Sequence, residues 1–174
     1  SYLSIETTDL QEWDDYAKNV VGLMKNESLS DDHNLYLRMD EKAFRFHIQT
    51  GGSKKFIAAG LNIRGKEEFE VAKNELTSAN IEFADFSDEL IAARCVKNGI
   101  TLKDPAGNAL EISYGGADAD EPFLSPQDIK GFITKGLGFG HVVFAAPDLE
   151  VAHSFYIDTL GFGDSDYMNF PMGP

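Results

Sequence analysis

His141 is the residue whose type and setting point most clearly to chemistry. It follows a glycine-rich lead, GLGFG at 136–140, and begins an apolar stretch that we expect to form a strand. A lone histidine on a strand is more often structural than a metal ligand. The case for a ligand rests on an internal repeat, in which the position that matches His141 holds Tyr2.

The other residues with reactive side chains have weaker patterns. Three further histidines show no metal-ligand spacing with one another: His33, His47 and His153. His47 alternates with Arg45 and Gln49, so we expect it on the solvent side of a strand. The single cysteine, Cys95, has no histidine base near it in sequence and is interpreted as an inert, buried thiol.

The repeat relates the start of the chain to residues 139 positions later. Its matching pairs are Asp9 and Asp148, Leu10 and Leu149, Tyr16 and Phe155, and Gly22 and Gly161. Both copies predict a strand, a helix capped by aspartate, and a glycine that ends the helix. A repeat of this length indicates a duplicated domain, so we expect an intact protein of about 280–300 residues, with the second copy only begun at Pro174.

The hydrophobic pattern of residues 2–114 predicts two successive units with the same order of helices and strands. The first has a strand at 2–7, a helix from 9 to 22 and strands at 34–39 and 44–50. The second has strands at 56–63, 91–97, 99–103 and 109–114 and a helix at 66–79. We therefore predict an α+β fold of paired βαβββ modules. An N-terminal domain of two modules would span 1–121, a connector 122–135, and an incomplete C-terminal domain 136–174.

Composition excludes several classes of function. The formal charge of −14 argues against nucleic acid and against anionic membrane surfaces as partners. No apolar run approaches the length of a membrane span. One cysteine permits no intrachain disulfide, which fits a reducing cytoplasm.

Three stretches carry a resemblance to a known family. They are GLGFGHVVFAAPDLEVAHSFYIDTLGF, KDPAGNALEISYGG and EPFLSP, and the chain closes on Met172-Gly173-Pro174. In this order they resemble the type I extradiol ring-cleavage dioxygenases of the vicinal oxygen chelate superfamily, which share the glyoxalase and bleomycin-resistance fold. The resemblance implies an Fe(II)-dependent enzyme that cleaves a catechol such as 2,3-dihydroxybiphenyl beside its diol with O2.

The resemblance also implies roles for single residues. His141 maps to the first of three iron ligands, while the second His and the Glu would lie beyond Pro174. A set of two histidines and one carboxylate leaves open positions on Fe(II). Val143, on the same strand face as His141, and Phe170 are predicted to border the substrate. No catalytic residue is expected within the 174 residues, and we expect them to be inactive by themselves.

Glu111 is the matching carboxylate of the N-terminal domain. A metal site there would need histidines at Tyr2 and near Ala58, and neither position holds one. We therefore expect a metal-free N-terminal domain with Glu111 hydrogen-bonded locally.

Two other functions remain open. One is a metal-free binding protein of the bleomycin-resistance type, and the other is an isomerase or glyoxalase-like lyase with a different metal. We further expect a cytoplasmic homo-oligomer that binds no nucleic acid or membrane.

Overall fold

The computed structural model of the chain describes residues 1–134 and 138–168, and eight strands in these residues form one mixed sheet. The strands are Tyr2–Thr7 (β1), Met24–Lys25 (β2), Asn34–Arg38 (β3), Phe46–Thr50 (β4), Lys55–Ile63 (β5), Phe83–Asp85 (β6), Asn98–Lys103 (β7) and Ala109–Tyr114 (β8). The helices are Leu10–Tyr16 (α1), Lys66–Ser78 (α2), Asp88–Arg94 (α3) and Leu149–Ser154 (α4). None of the helices in the described residues is long and apolar enough to span a membrane.

The sheet consists of two halves with the same topology. Its strand order is β2-β3-β4-β1-β5-β8-β7-β6. In each half the first strand runs parallel to the last, β1 beside β4 and β5 beside β8, and the halves join where β1 and β5 pair antiparallel. The predicted paired βαβββ modules and the α+β class are thereby confirmed.

Each half buries an apolar cluster of its own. One contains Ala17, Leu37 and Ile48, with Leu10 and Trp13 of α1 packed against it. The other includes Phe69 and Leu76 from α2 together with residues of β7 and β8. These helix residues recur at three- and four-residue spacing, as one buried helix face requires.

The two copies of the repeat build the same helix. Asp9 accepts a hydrogen bond from the backbone N–H of Glu12, and Asp148 accepts one from Val151. Both helices continue into a π-helical turn, at Ala17–Val21 and at Phe155–Thr159. The glycine after each turn has a positive φ, 86° at Gly22 and 71° at Gly161, a region that favours glycine.

The π-helical turn also corrects one detail of the predicted helix face. Val20, three residues after the buried Ala17, would share its face in a regular α-helix, but Val20 is 65% exposed. A π-helical turn adds a residue to the helical repeat, which rotates later side chains away from the original face.

The strand predicted at 91–97 is wrong, because residues Asp88–Arg94 form helix α3. The Ser87 side chain accepts a hydrogen bond from the backbone N–H of Leu90, and Asp88 and Glu89 lie in the first turn. These residues are a normal helix start, and the alanines at 92 and 93 favour helix as well. The helix ends at Cys95, which has a φ of 50°.

The C-terminal segment (residues 138–168) packs on the second half of the sheet. Phe155 is buried there, and Val142, Phe144 and Tyr156 contact the same cluster. The Tyr156 hydroxyl donates a 2.9 Å hydrogen bond to Asp104. The strand predicted to begin at His141 does not form in the described part of this segment, because residues 138–147 have no neighbouring strand with which to pair.

Candidate functional site

A row of side chains crosses the centre of the sheet where the two halves meet. Tyr2 on β1 lies opposite Gly60 on β5, and Gly60 lies opposite Glu111 on β8. Tyr2 and Glu111 therefore stand two strands apart with only a glycine between them. Both side chains are buried, with 7% and 3% of their surface exposed.

Gly60 is what allows Tyr2 to reach Glu111. A Cβ atom at Gly60 would lie 2.2 Å from Cζ of Tyr2, so the tyrosine ring occupies the space above the glycine. The Tyr2 hydroxyl then donates a hydrogen bond to Oε2 of Glu111. Burial, together with the charge and hydrogen bond of Glu111, raises the pKa of Tyr2 well above its usual range. The phenol is thus a neutral donor.

Arg94 supplies the cation for the buried carboxylate. Its Nε donates to Oε2 of Glu111 at 2.7 Å, and its Nη2 donates to Oε1 at 2.9 Å. This is the bidentate fork that arginine forms with carboxylates. Burial by itself would lower the pKa of Arg94, but the hydrogen bonds and charge of Glu111 outweigh burial and leave that pKa raised.

His47 is the fourth member of the cluster and contacts Nη1, the third nitrogen of the Arg94 guanidinium. Arg94 Nη1 donates to Nδ1 of His47 at 2.7 Å. Because arginine has no acceptor, Nδ1 must carry the lone pair, and the ring proton is on Nε2, which donates to Oδ1 of Asn34 at 2.9 Å. Burial, followed by the charge of Arg94, lowers the pKa of His47 to about 4. His47 is therefore neutral near pH 7.

The prediction that His47 faces solvent is wrong. Its side chain is 2% exposed and stacks on Tyr36 with ring centroids 4.4 Å apart. Arg45, which directly precedes β4, is buried as well and forms an ion pair with Asp40 at 2.7 Å. At Arg45 and His47 the polar alternation therefore marks a buried surface with paired side chains and not a solvated one.

We call Tyr2, His47, Arg94 and Glu111 the buried polar cluster. It borders a cavity of about 410 Å³, which Tyr2 and Arg94 line together with Phe44, Asn62 and Ser113. All the hydrogen bonds of the guanidinium given above go to Glu111 and His47. Arg94 engages both oxygens of the Glu111 carboxylate and the lone pair of the His47 imidazole. Glu111 is hydrogen-bonded as expected, but its partners Arg94 and Tyr2 lie far from it in sequence.

The residues predicted for the metal and substrate site lie elsewhere. His141 and Val143 are exposed, and 83% of the surface of Val143 is accessible. The alternate residues Val142 and Phe144 contact the apolar cluster of the second sheet half. His141 and Val143 therefore share one open side of the segment, as the two-residue spacing predicts. Phe170 falls outside the described residues.

The described residues do not by themselves make a metal site. Among residues 1–134 and 138–168, no three His, Cys, Asp or Glu side chains are grouped so that they could hold a metal ion. His141, with an exposed imidazole, fits the role of one ligand in a larger set.

Sequence reasoning missed the two residues that complete the buried polar cluster. The strand predicted at 91–97 included Arg94, although the capping serine seven residues earlier marks a helix whose last turn carries Arg94. His47 was separated from Glu111 by 64 positions, and nothing in the local pattern links them. Only the pairing of β4, β1, β5 and β8 brings them together.

Comparison with known proteins identifies relatives of the whole chain. A family model described as "Dihydroxybiphenyl dioxygenase BphC D1" matches residues 1–51. The chain is 36% identical to a biphenyl-2,3-diol 1,2-dioxygenase of Pseudomonas sp. strain KKS102, over 99% of this chain and 59% of that protein. It is 34% identical to an iron-dependent extradiol dioxygenase of Rhodococcus jostii strain RHA1, over 98% of this chain and 56% of that protein.

The fold is similar to that of a solved relative. A crystal structure of catechol 2,3-dioxygenase matches with a TM-score of 0.86 and 32% identity, over 92% of this chain and 57% of that chain. The resemblance to extradiol dioxygenases that the sequence motifs indicate is thereby confirmed. The chain spans somewhat more than half the length of the relatives it matches.

Proposed function

We propose that this chain is the N-terminal part of an extradiol dioxygenase, which cleaves the ring of a catechol such as 2,3-dihydroxybiphenyl beside its diol with O2. The observation that carries the proposal is the 36% identity to a biphenyl-2,3-diol 1,2-dioxygenase along 99% of the chain. The name of the Rhodococcus relative supports Fe(II) as the cofactor.

Within this proposal, the C-terminal segment supplies the first iron ligand and part of the substrate site. His141 would hold Fe(II) through one imidazole nitrogen, and Val143, on the same open side, would border the catechol, as would Phe170. Val142 and Phe144 fix the backbone between these side chains by packing on the N-terminal sheet. When bound, a ferrous ion supplies open coordination positions and the electron density that ring cleavage requires.

The division into an N-terminal domain at 1–121, a connector at 122–135 and the start of a catalytic domain at 136–174 belongs to the same proposal. So do a homo-oligomeric state and a cytoplasmic location. The internal repeat supports the division, because its second copy restarts immediately after the connector.

The decisive experiment uses the full-length protein, reconstituted with Fe(II) without oxygen and then exposed to air with a panel of catechols. We expect the yellow ring-fission product from 2,3-dihydroxybiphenyl or a methylcatechol. His141→Ala should abolish its formation, because losing a metal ligand costs more than the roughly 10–100-fold typical of groups that merely orient one. The 174-residue chain should bind iron weakly or not at all.

His33→Ala is the matched control, since His33 is exposed in the bend before β3 and its substitution should leave cleavage unchanged. A full-length protein that binds catechols without metal and cleaves none of them would instead be a binding protein of the bleomycin-resistance type.

A further inference from the structure

We propose that the buried ion pair of Asp40 and Arg45, with Phe46 beside it, positions the metal ligand of the C-terminal segment. These three residues hold residues 138–140, the end of the glycine-rich lead, against the N-terminal sheet, and His141 follows directly. The inference rests on the proposed role of His141 as an iron ligand. It gives the N-terminal domain a part in building the iron site of the second domain.

The ion pair is buried and tightly bonded. Only 6% of the surface of Asp40 and of Arg45 is exposed. The Nε atom of Arg45 donates to both carboxylate oxygens of Asp40, at 3.0 and 3.1 Å, and its Nη2 donates to Oδ2 at 2.7 Å. The third nitrogen, Nη1, donates to the backbone carbonyl of Ser1 at 2.9 Å. Because all three nitrogens are bonded, the planar guanidinium has a fixed orientation and can support a neighbouring segment.

The backbone of Gly138 lies against this guanidinium. A Cβ atom at Gly138 would lie 3.3 Å from Nη1 and from Nη2 of Arg45, which is closer than most side-chain contacts. Gly138 also has a φ of 69°, in the region that favours glycine. The glycine therefore lets the chain pass close over Arg45 in a conformation that other residues adopt rarely.

The acidic member of the pair contacts the chain just before the lead. Thr134 is buried, and its hydroxyl donates a hydrogen bond to Asp40. Burial by itself would raise the pKa of Asp40, but the hydrogen bonds and charge of Arg45, with the bond from Thr134, leave that pKa lowered. The backbone N–H of Gly138 in turn donates to the carbonyl of Thr134 at 3.2 Å. The ion pair thus contacts the chain at two points, Thr134 and Gly138.

An aromatic contact adds a third point of attachment immediately before the ligand. The rings of Phe46 and Phe139 meet edge to face, with centroids 5.1 Å apart and planes at 83°. Phe46 begins β4 and packs against the apolar cluster of the first sheet half. Beyond the ligand, Val142 and Phe144 contact the cluster of the second half. His141 therefore lies between two attached stretches, while its own side chain is exposed.

This attachment should affect metal binding through the position of the imidazole. A site binds its metal well only when each ligand is held within about 0.5 Å of its place. Replacing residues that orient metal ligands typically changes metal affinity by about 10–100-fold. We expect the lower end of this range, because the ion pair acts on the backbone before His141 and not on the imidazole itself.

The test measures Fe(II) binding to the full-length protein without oxygen, well below the Tm of every variant. Asp40→Asn/Arg45→Gln removes both charges together, so that neither is left buried without its partner. The Kd for Fe(II) should rise about 10-fold. Amide exchange at residues 138–144 should become faster in the metal-free protein, which is a measurement that needs no bound metal.

Arg94→Gln/Glu111→Gln is the matched control, because it removes the other buried ion pair of the N-terminal sheet. Within the described residues, the remaining hydrogen bonds of that pair run to Tyr2 and His47 and not to the lead. The Tm of the control should fall, while its Kd for Fe(II) and its exchange at 138–144 stay close to the wild-type values. A control that loses as much iron affinity as Asp40→Asn/Arg45→Gln would overturn the proposal, since the loss would then follow general stability.

Single variants keep the proposal falsifiable if Asp40→Asn/Arg45→Gln does not fold. Arg45→Lys keeps the charge but loses the planar fork that supports Gly138, so it should also raise the Kd for Fe(II). Phe46→Leu removes the ring that meets Phe139 and should raise the Kd, whereas Phe46→Tyr keeps the ring and should retain the wild-type Kd. An unchanged Kd in both Arg45→Lys and Phe46→Leu would contradict the proposal.

The same measurements separate this inference from the proposed function. If the wild type binds Fe(II) and His141→Ala does not, while Asp40→Asn/Arg45→Gln matches the wild type in both Kd and exchange, only the positioning role fails. If the full-length wild type binds no Fe(II), the proposed function fails, and the positioning of a metal ligand fails with it.

Discussion

The two copies of the repeat share a helix but differ in the segment that precedes it. In both copies an aspartate caps the helix, a π-helical turn follows, and a glycine with positive φ ends it. Before the first helix, residues Tyr2–Thr7 form a strand paired on both sides. Before the second, residues 138–147 form no strand within the described part of the chain.

The difference separates local from non-local causes of structure. A cap, an apolar stripe and a terminal glycine act within one helix and need no other element. A strand obtains its backbone hydrogen bonds from neighbours, so the same kind of sequence remains extended and unpaired where no neighbouring strand is present.

The same comparison applies to the residues at the head of each copy. Tyr2 is buried and its hydroxyl is bonded to Glu111, whereas His141 is exposed. The first copy has a closed, charge-paired interior. In the second copy, His141 and Val143 are both exposed. The predictions test how strongly the buried polar residues stabilise the first copy and how the second copy is attached to it.

The largest effect is expected from removing the charge of Glu111, the acidic partner in the Arg94–Glu111 ion pair of the first copy. Glu111→Gln leaves Arg94 as a buried charge without its carboxylate, which should lower the free energy of unfolding by about 3–5 kcal/mol. Urea denaturation of the 174-residue chain measures this loss. Glu70→Gln, at an exposed position of α2, is the matched control and should change stability by less than about 0.5 kcal/mol. Equal effects of the two substitutions would show that the buried polar cluster is not a stabilising unit.

A smaller effect is expected from protonation of His47. Its folded pKa is about 4, below the value of about 6.5 expected in the unfolded chain, so the unfolded state binds more protons between these values. Stability should therefore fall as the pH drops from 6.5 to 4, by an amount of order 3 kcal/mol, and this contribution should level off below pH 4.

The His47 contribution is isolated by comparing variants across this pH range. His47→Gln keeps an acceptor for Arg94 but cannot titrate, so its unfolding free energy should fall less steeply with pH than that of wild type. His33→Gln, at an exposed site, should retain the wild-type slope. Parallel pH profiles for wild type and His47→Gln would contradict a neutral, buried His47.

The smallest effect is expected where the second copy is attached to the first. Tyr156→Phe removes the 2.9 Å hydrogen bond to Asp104 and should cost about 1 kcal/mol. Because Phe155 remains buried beside it, the loss should appear as faster amide exchange confined to residues 149–159. Tyr16→Phe, in the helix of the first copy, is half exposed and should leave exchange unchanged. Faster exchange throughout β5 and β8 would show that Tyr156 supports the sheet itself.

The sequence by itself determined the features that depend on neighbours along the chain. The aspartate caps, the glycine ends of the repeated helices, and the strands at 2–7 and 109–114 were all predictable from patterns of a few residues. The paired βαβββ order followed from their succession, and the motifs around His141 indicated the family. Local patterns failed at 91–97, where the capping serine was overlooked in favour of an apolar run.

Only the tertiary structure decided how the first copy uses its polar residues. Whether His47 faces solvent or interior depends on which side of the sheet the helices cover, and strand alternation looks the same in both cases. His47 and Glu111 come together because β4, β1, β5 and β8 are neighbours in the sheet, and the end of α3 brings Arg94 between them. Their charges and lone pairs compensate one another only at distances of about 3 Å, and the fold alone sets those distances.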